Sequence, residues 1–344
     1  MSLFDPVVAE AGLHPTFVQV RDEPAYYPAR CMMSDVFEAW SDADRHFVRE
    51  FQTQGFDSRT WELYLRASLV DIGLHVDSIG DRPDFRCSVD GATFFVEATT
   101  SNARTGAPRP STSAEAMELL AASTDDPDEV AIRLGSALFS KQQKRYHELE
   151  HVAGAPLLFA IEAFHDQGAL FQSDGALLRL LFGLALVTRI APGVAVPAHG
   201  SIVEHRHGSK AIPSGWFSHP ENENISAVLF SNSGTVTKFN RMGVQAGYSH
   251  PRLRAMLRRV HEFDPDPDAM TPLVSVEHIN QSSTERWTEG LELIHNPNAV
   301  APVDPKWFPN VSQLFQVGDQ VALVPGPRHV FTQFTSILQT RDGD

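Results

Sequence analysis

The sequence predicts an α/β fold built on a mixed sheet, and three observations carry that expectation. Trp61, Leu65, Leu69 and Ile72 recur at helical spacing over residues 59–73. Two alternating runs, DFRCSVD (84–90) and ATFFVEAT (92–99), meet at Asp90-Gly91, a hairpin signal. PLLFAIEAF (156–164) is almost wholly apolar, as expected of a strand covered on both faces.

The elements follow in order. Residues 1–40, with PAYYPAR at 24–30, read as an irregular arm, and helical periodicity begins near Ser41. The helix over 59–73 has Asp57 and Ser58 where an N-cap belongs and Gly73 as its stop. LHVDSI (74–79) alternates as a first strand before the hairpin. A Pro/Ser/Thr-rich loop (104–113) and a helix-prone stretch (114–122) come next. A long helix starts after Asp126, with Pro127 in its first turn, and runs to about His151, where Gly154-Ala155-Pro156 ends it. In the second half, 177–188 reads as a helix, 225–232 and 235–240 as strands paired about Ser233-Gly234, and 290–296 as a further strand. The most apolar stretch, 176–197, contains Arg179 and Arg189; its uncharged run is too short for a bilayer and fits a buried helix. No linker separates the halves. The expected organisation is an arm and helix packed on the core (1–58), a core (59–164), and an elaboration that extends the same sheet (165–344).

Composition narrows the function classes. Hydrophobic residues make up 42% and charged residues 21% of the 344, a globular rather than disordered profile. The net charge of −15 argues against coating nucleic acid by bulk charge, though not against a local basic groove or acids offset by metal. Cys31 and Cys87 are too few for a disulfide framework, so a reducing, cytoplasmic setting is expected. The start carries Asp5 and Glu10 and no basic n-region, unlike a secretory signal. No phosphate-binding Gly-rich loop and no Gly-x-Ser-x-Gly elbow occurs, which leaves ATP use, dinucleotide binding and serine hydrolysis without support.

The acids carry the chemistry. Asp84 opens the second strand and Glu97 lies near the end of the third, so a tight hairpin brings their two carboxylates together. Such neighbours repel unless a divalent cation lies between them, and hard oxygen ligands suit Mg²⁺ or Mn²⁺. Glu62 shares a helix face with Leu65 and Leu69 and leans inward; the plainer account is an acid favoured by the helix N-terminus by roughly 0.3–1 kcal/mol. On the long helix, Leu134, Leu138, Gln142, Tyr146 and Leu149 form one stripe, flanked by Lys141 and Lys144. A Gln aimed at the sheet needs a polar partner. A solvated basic face is the plainer account of the lysines.

This ordered set, Glu62, then Pro83-Asp84, then Glu97-Ala98-Thr99, then Gln142…Tyr146, resembles the PD-(D/E)xK nuclease superfamily. The resemblance covers about a third of the chain. It implies a restriction-endonuclease-like core of helix, three strands, helix and strand, in a mixed sheet extended here by C-terminal strands. It also implies a metal bound by Asp84 and Glu97, with the Ala98 carbonyl as a further donor and Glu62 in support. Gln142 and Tyr146 would position the site and the nucleic-acid strand. One position departs from the pattern: the motif lysine should stand at 99, where this chain has Thr99. Some members carry that cation on the helix instead, and Lys141 and Lys144 are equal candidates for it.

Two other clusters stand out. His205, His207 and His219 match no zinc spacing and read as a polar loop. Arg252, Arg254, Arg258 and Arg259 in PRLRAMLRRV form the densest basic patch, read as a helix that either contacts phosphates or pairs with the acidic run at 262–268. Three functions are therefore expected, in order: a Mg²⁺-dependent phosphodiesterase acting on nucleic acid, DNA before RNA; an inactive relative that binds nucleic acid or a protein; and an interaction module whose acids are ordinary surface residues. No membrane partner is expected, and a homo-oligomer is left open.

Overall fold

The computed structural model describes residues 2–40, 45–77, 82–102, 126–164, 173–191, 194–266, 269 and 271–340. The loop and helix-prone stretch expected at 104–122 lie outside the described residues.

Four helices precede the sheet: α1 (Pro15–Asp22), α2 (Tyr27–Glu38), α3 (Arg45–Gln52) and α4 (Phe56–Ile72). The arm expected to be irregular is thus helical. Its prolines mark helix starts rather than breaks, because Pro15 and Pro28 fall in first turns, where a missing N–H costs nothing. Helix α4 ends as expected, with Gly73 in the left-handed region (φ 100°). It begins earlier than expected, after Gly55, and Ser58 is no cap; its hydroxyl meets that of Thr100 at 2.8 Å.

Strands β1 (His75–Asp77), β2 (Phe85–Val89) and β3 (Ala92–Asn102) form an antiparallel meander. Asp90 and Gly91 both take positive φ (50° and 80°), the two-residue turn whose twist matches the flanking strands. Helix α5 (Pro127–Gln142), capped by the Asp126 carboxylate on Asp128 N–H, then crosses to β4 (Leu157–Phe164), which pairs with β3 in parallel. This helix stops short of its expected end at His151. Arg145 takes a left-handed φ of 51°, and Tyr146 begins a separate 3-10 turn.

Beyond β4 come α6 (Gly175–Phe182), the hairpin β5 (Leu184–Ala191) and β6 (Val194–Ser201), and a second hairpin, β7 (Glu204–His207) and β8 (Lys210–Pro213). The apolar stretch at 176–197 is therefore not one helix. It breaks at Gly183, whose φ is 69° and whose missing Cβ would press on the Gly215 backbone at 3.2 Å. Strand β9 (Ala227–Ser231) matches expectation, but 235–240 does not pair with it: Thr235 caps helix α7 (Val236–Gln245). The β-branched start that looked like a strand is a cap and first turn. The chain closes with β10 (Leu253–Glu262), β11 (Leu273–His278), β12 (Leu291–His295), β13 (Ser312–Val317), β14 (Gln320–Val324) and β15 (Val330–Gln339). The arginine-rich segment expected to be helical is strand β10.

Eight strands form one mixed sheet in the order β1-β2-β3-β4-β9-β12-β13-β14, and β11-β10-β15 form a separate three-stranded sheet. The large sheet is covered on both faces. On one, Trp61, Tyr64, Leu65 and Leu69 of α4 pack with Phe17, Met33 and Phe51 against Phe94, Val96, Leu158 and Leu229. On the other, Leu134 and Leu138 of α5 and Leu177 and Leu181 of α6 cover Phe95, Phe159, Ile161 and Val228. Burial on both sides explains the unbroken apolar run of β4. Helix α7 locks the N-terminal helices: Asn240 accepts from Ala29 N–H (3.0 Å) and donates to the Ala25 carbonyl (2.9 Å). Among the described residues no helix is long and apolar enough to cross a membrane.

Candidate functional site

Alternation along β3 sends Phe95, Glu97 and Thr99 toward α5, and Val96 and Ala98 toward α4. Glu97 is therefore a carboxylate among core residues, only 3% exposed. Such a group needs partners, and the Lys141 ammonium and the Tyr146 hydroxyl both donate to its Oε1. Its Oε2 is buried and has no hydrogen-bond partner. One oxygen is doubly held and the other is bare.

Asp84 precedes β2, just past the last β2–β3 pair, Phe85 with Val96. Its Oδ2 accepts from the Ala98 N–H at 2.7 Å. Because the N–H and C=O of one strand residue point the same way, the Ala98 carbonyl also faces the Asp84 side, beyond the paired ladder. Burial pushes the Asp84 carboxyl well above the usual range, and the charges of Glu62 and Glu97 push it further. Glu62, buried on α4, is raised by burial too, against the pull of the Arg59 guanidinium 2.6 Å away. The Tyr146 hydroxyl is likewise raised by burial and by Glu97.

The structure thus gathers Glu62, Asp84, Glu97, Lys141 and Tyr146 into one electrostatically coupled group. It leaves two expected residues out. Lys144 is exposed beyond the end of α5, so Lys141 is the lysine that reaches the acids. Gln142 donates to the Glu221 carbonyl at 3.3 Å instead of to the acids. Tyr146 arrives from the 3-10 turn rather than from a shared helical stripe.

Arg59 was not anticipated. Its guanidinium offsets Glu62 and also senses Asp84. The i,i+3 spacing of Arg59 and Glu62 was the available signal. Glu162 was also missed, hidden in an apolar strand. It is fully buried, and its Oε1 accepts from Gly234 N–H at 2.8 Å.

Asp84, the bare Glu97 Oε2 and the Ala98 carbonyl are hard oxygen donors on the same strand ends, and this set fits Mg²⁺ or Mn²⁺ in kind. Glu62 gives its Oε2 to the Arg59 guanidinium at 2.6 Å. Among the described residues no group of three or more His, Cys, Asp or Glu is arranged to hold a metal.

The basic patch is divided by its strand. Arg258 is fully buried and pairs with Glu289 (2.8 Å), Glu277 and Glu285 (each 3.4 Å), so it contacts no outside phosphate. Arg252, Arg254 and Arg259 are exposed. The histidines are not a loop: His205, buried on β7, bonds Asp128 (2.9 Å) and Ser214 (3.0 Å), and His207 bonds Asp126 (2.9 Å), tying the β7–β8 hairpin to the start of α5.

Compared with known proteins, the chain matches no family model, no curated protein and no solved structure.

Proposed function

We propose that the chain is a divalent-metal-dependent phosphodiesterase acting on nucleic acid, a nuclease of the PD-(D/E)xK kind with its lysine moved from the strand to the crossover helix. One observation carries the reading: the Lys141 ammonium on Glu97, whose other oxygen is buried and bare, beside Asp84 at the adjoining strand end. The order α4, β1-β2-β3, α5, β4, with β3 and β4 parallel, supports it as the helix, three-strand, helix, strand core of that superfamily.

Asp84, Glu97 and the Ala98 carbonyl would hold Mg²⁺ or Mn²⁺, which when bound polarises a phosphoryl oxygen and lowers the pKa of a water. The chain's own residues do the rest. Tyr146 and Lys141 fix the Glu97 carboxylate from one side, leaving its other oxygen facing the ligand position. Lys141, partly exposed, is also the cation available to offset charge that develops on a phosphate. Arg59 offsets part of the Glu62 charge beside the two other acids.

The test is incubation with plasmid, single-stranded DNA and RNA in Mg²⁺ or Mn²⁺, with Mn²⁺ titration calorimetry in parallel. Cleavage and Mn²⁺ binding that both vanish in Asp84→Asn and Glu97→Gln support the proposal; cleavage indifferent to both substitutions overturns it. A second reading, an inactive relative that binds nucleic acid or a protein, is favoured by Thr99 at the position of the motif lysine and by the net charge of −15. No Mn²⁺ heat at millimolar concentration selects that reading.

A further inference from the structure

The three-stranded sheet β11-β10-β15 has two unlike faces. Its inner face carries Met256, Arg258 and Val260 of β10, all buried. Its outer face is fixed by register: Val276 lies beside Arg259 and Phe334, Val274 beside His261 and Thr332, His278 beside Leu257 and Ser336, and Ala255 beside Leu338. Much of this face is open to solvent: Val276 is 65%, Val274 52%, Leu338 51% and Phe334 43% exposed, and Arg259, His278 and Ser336 are exposed as well.

Two properties set the face apart in a chain of net charge −15. Among the described residues it carries no carboxylate. Glu262 and Glu277, the acids of these strands, fall on the inner face, where Arg258 and Arg328 engage them. It does carry a cation: Arg259, exposed at its centre beside Val276 and Phe334. An acid-free cationic patch on an acidic protein is complementary to a polyanion. The apolar surface narrows the choice further. Duplex bases are stacked inward and offer such a face only their phosphates, whereas an unpaired strand can lay its bases on Phe334, Val276 and Leu338. A ten-residue strand spans ~33 Å, a length in keeping with single-strand sites of roughly 4–16 nucleotides. A second copy of the chain would set the same cationic patch against itself.

We infer that the outer face of β11-β10-β15 docks single-stranded nucleic acid, with Phe334 and its apolar neighbours under the bases and Arg259 on the phosphates. The inference deepens the nuclease reading and rests on it for the kind of polyanion. It makes the second sheet a platform that presents an unpaired strand.

The experiment is fluorescence anisotropy of a labelled oligothymidine with the full chain in EDTA, where no cleavage can occur. Variants are Arg259→Glu and Phe334→Ser, each checked by thermal melting, with sedimentation velocity alongside. The expected result is single-strand binding at least ~10-fold tighter than duplex binding, weakened ~10-fold or more by each variant, with the salt slope of log K reduced by about one in Arg259→Ala. Absent binding, duplex preference, or binding indifferent to both residues overturns the inference. A dimer that Phe334→Ser dissociates also overturns it, because the face is then a self-interface. The two readings fail separately. Single-strand binding that needs Arg259 and Phe334, in a chain without metal-dependent cleavage, removes the nuclease and keeps the platform. Cleavage with no such binding removes the platform alone.

Discussion

Lys141 and Glu97, separated by 44 positions, meet across the α5–β3 interface, and their pairing is the contact on which the candidate site is organised. The acid comes from a hairpin strand and the base from the helix that crosses to β4. Each is placed by a different part of the backbone.

That pairing separates the two lysines that the sequence leaves equivalent. Lys141→Ala is expected to lower metal-dependent cleavage by roughly 10²–10³-fold, the scale of losing one group that stabilises transition-state charge. Lys144→Ala is expected to match wild type. Plasmid nicking rates with saturating Mg²⁺ measure both, and equal loss in the two variants would refute the assignment.

Tyr146→Phe tests the other contact to the same carboxylate oxygen. Its hydroxyl donates to Glu97 in a buried setting, so losing it should cost about 1.5–3 kcal/mol, the range for hydrogen bonds to charged groups. Thermal melting reads the loss, and the Mn²⁺ affinity measured by calorimetry should shift with it.

Glu162 gives a pH dependence. Burial holds its carboxyl well above the usual carboxylate range despite the bond from Gly234 N–H. The folded chain therefore binds a proton that the unfolded chain releases near the ordinary carboxylate value. Stability from this group is full below that value and falls as pH rises toward the folded value. Glu162→Gln should flatten that decline, so the variant gains on wild type in melting temperature as pH rises above the ordinary carboxylate value. A parallel pair of curves would contradict this.

Arg258 and Arg259 are neighbours with opposite expected fates. Arg258→Met leaves Glu277, Glu285 and Glu289 facing an uncharged side chain in a buried network, and a loss of about 3–5 kcal/mol is expected. Arg259→Ala removes an exposed side chain and should stay within about 0.5 kcal/mol. Urea unfolding of both variants checks the contrast.

The parts legible in the sequence were those whose signals are local. Asp90-Gly91 announced its turn because only a few residue types tolerate positive φ, and Gly73 announced the end of α4 for the same reason. Asp84 and Glu97 could be brought together because a tight hairpin fixes the register. What failed depended on distant partners. Arg258 looked solvated because the acids that bury it lie 19 to 31 positions away. Thr235 and Val236 looked like a strand because both are strand formers, while the Thr235 hydroxyl also serves as an N-cap. Pro15 and Pro28 suggested an irregular arm, since position within a helix, not presence, decides what proline does. Tyr146 was placed near the acids for the wrong reason. It reaches Glu97 only because the helix unwinds at Arg145.

On the proposed nuclease reading, an ammonium on α5 rather than at residue 99 would divide control of the chemistry between two mechanical elements. Sliding the crossover by one turn, about 5.4 Å, would withdraw the base while the acids kept their strand register. Such a chain could retain its cation and lose its rate. Since His205 and His207 anchor the opposite end of that crossover through Asp128 and Asp126, a disturbance of this distant fastening would, on that same reading, change turnover before it changed metal affinity.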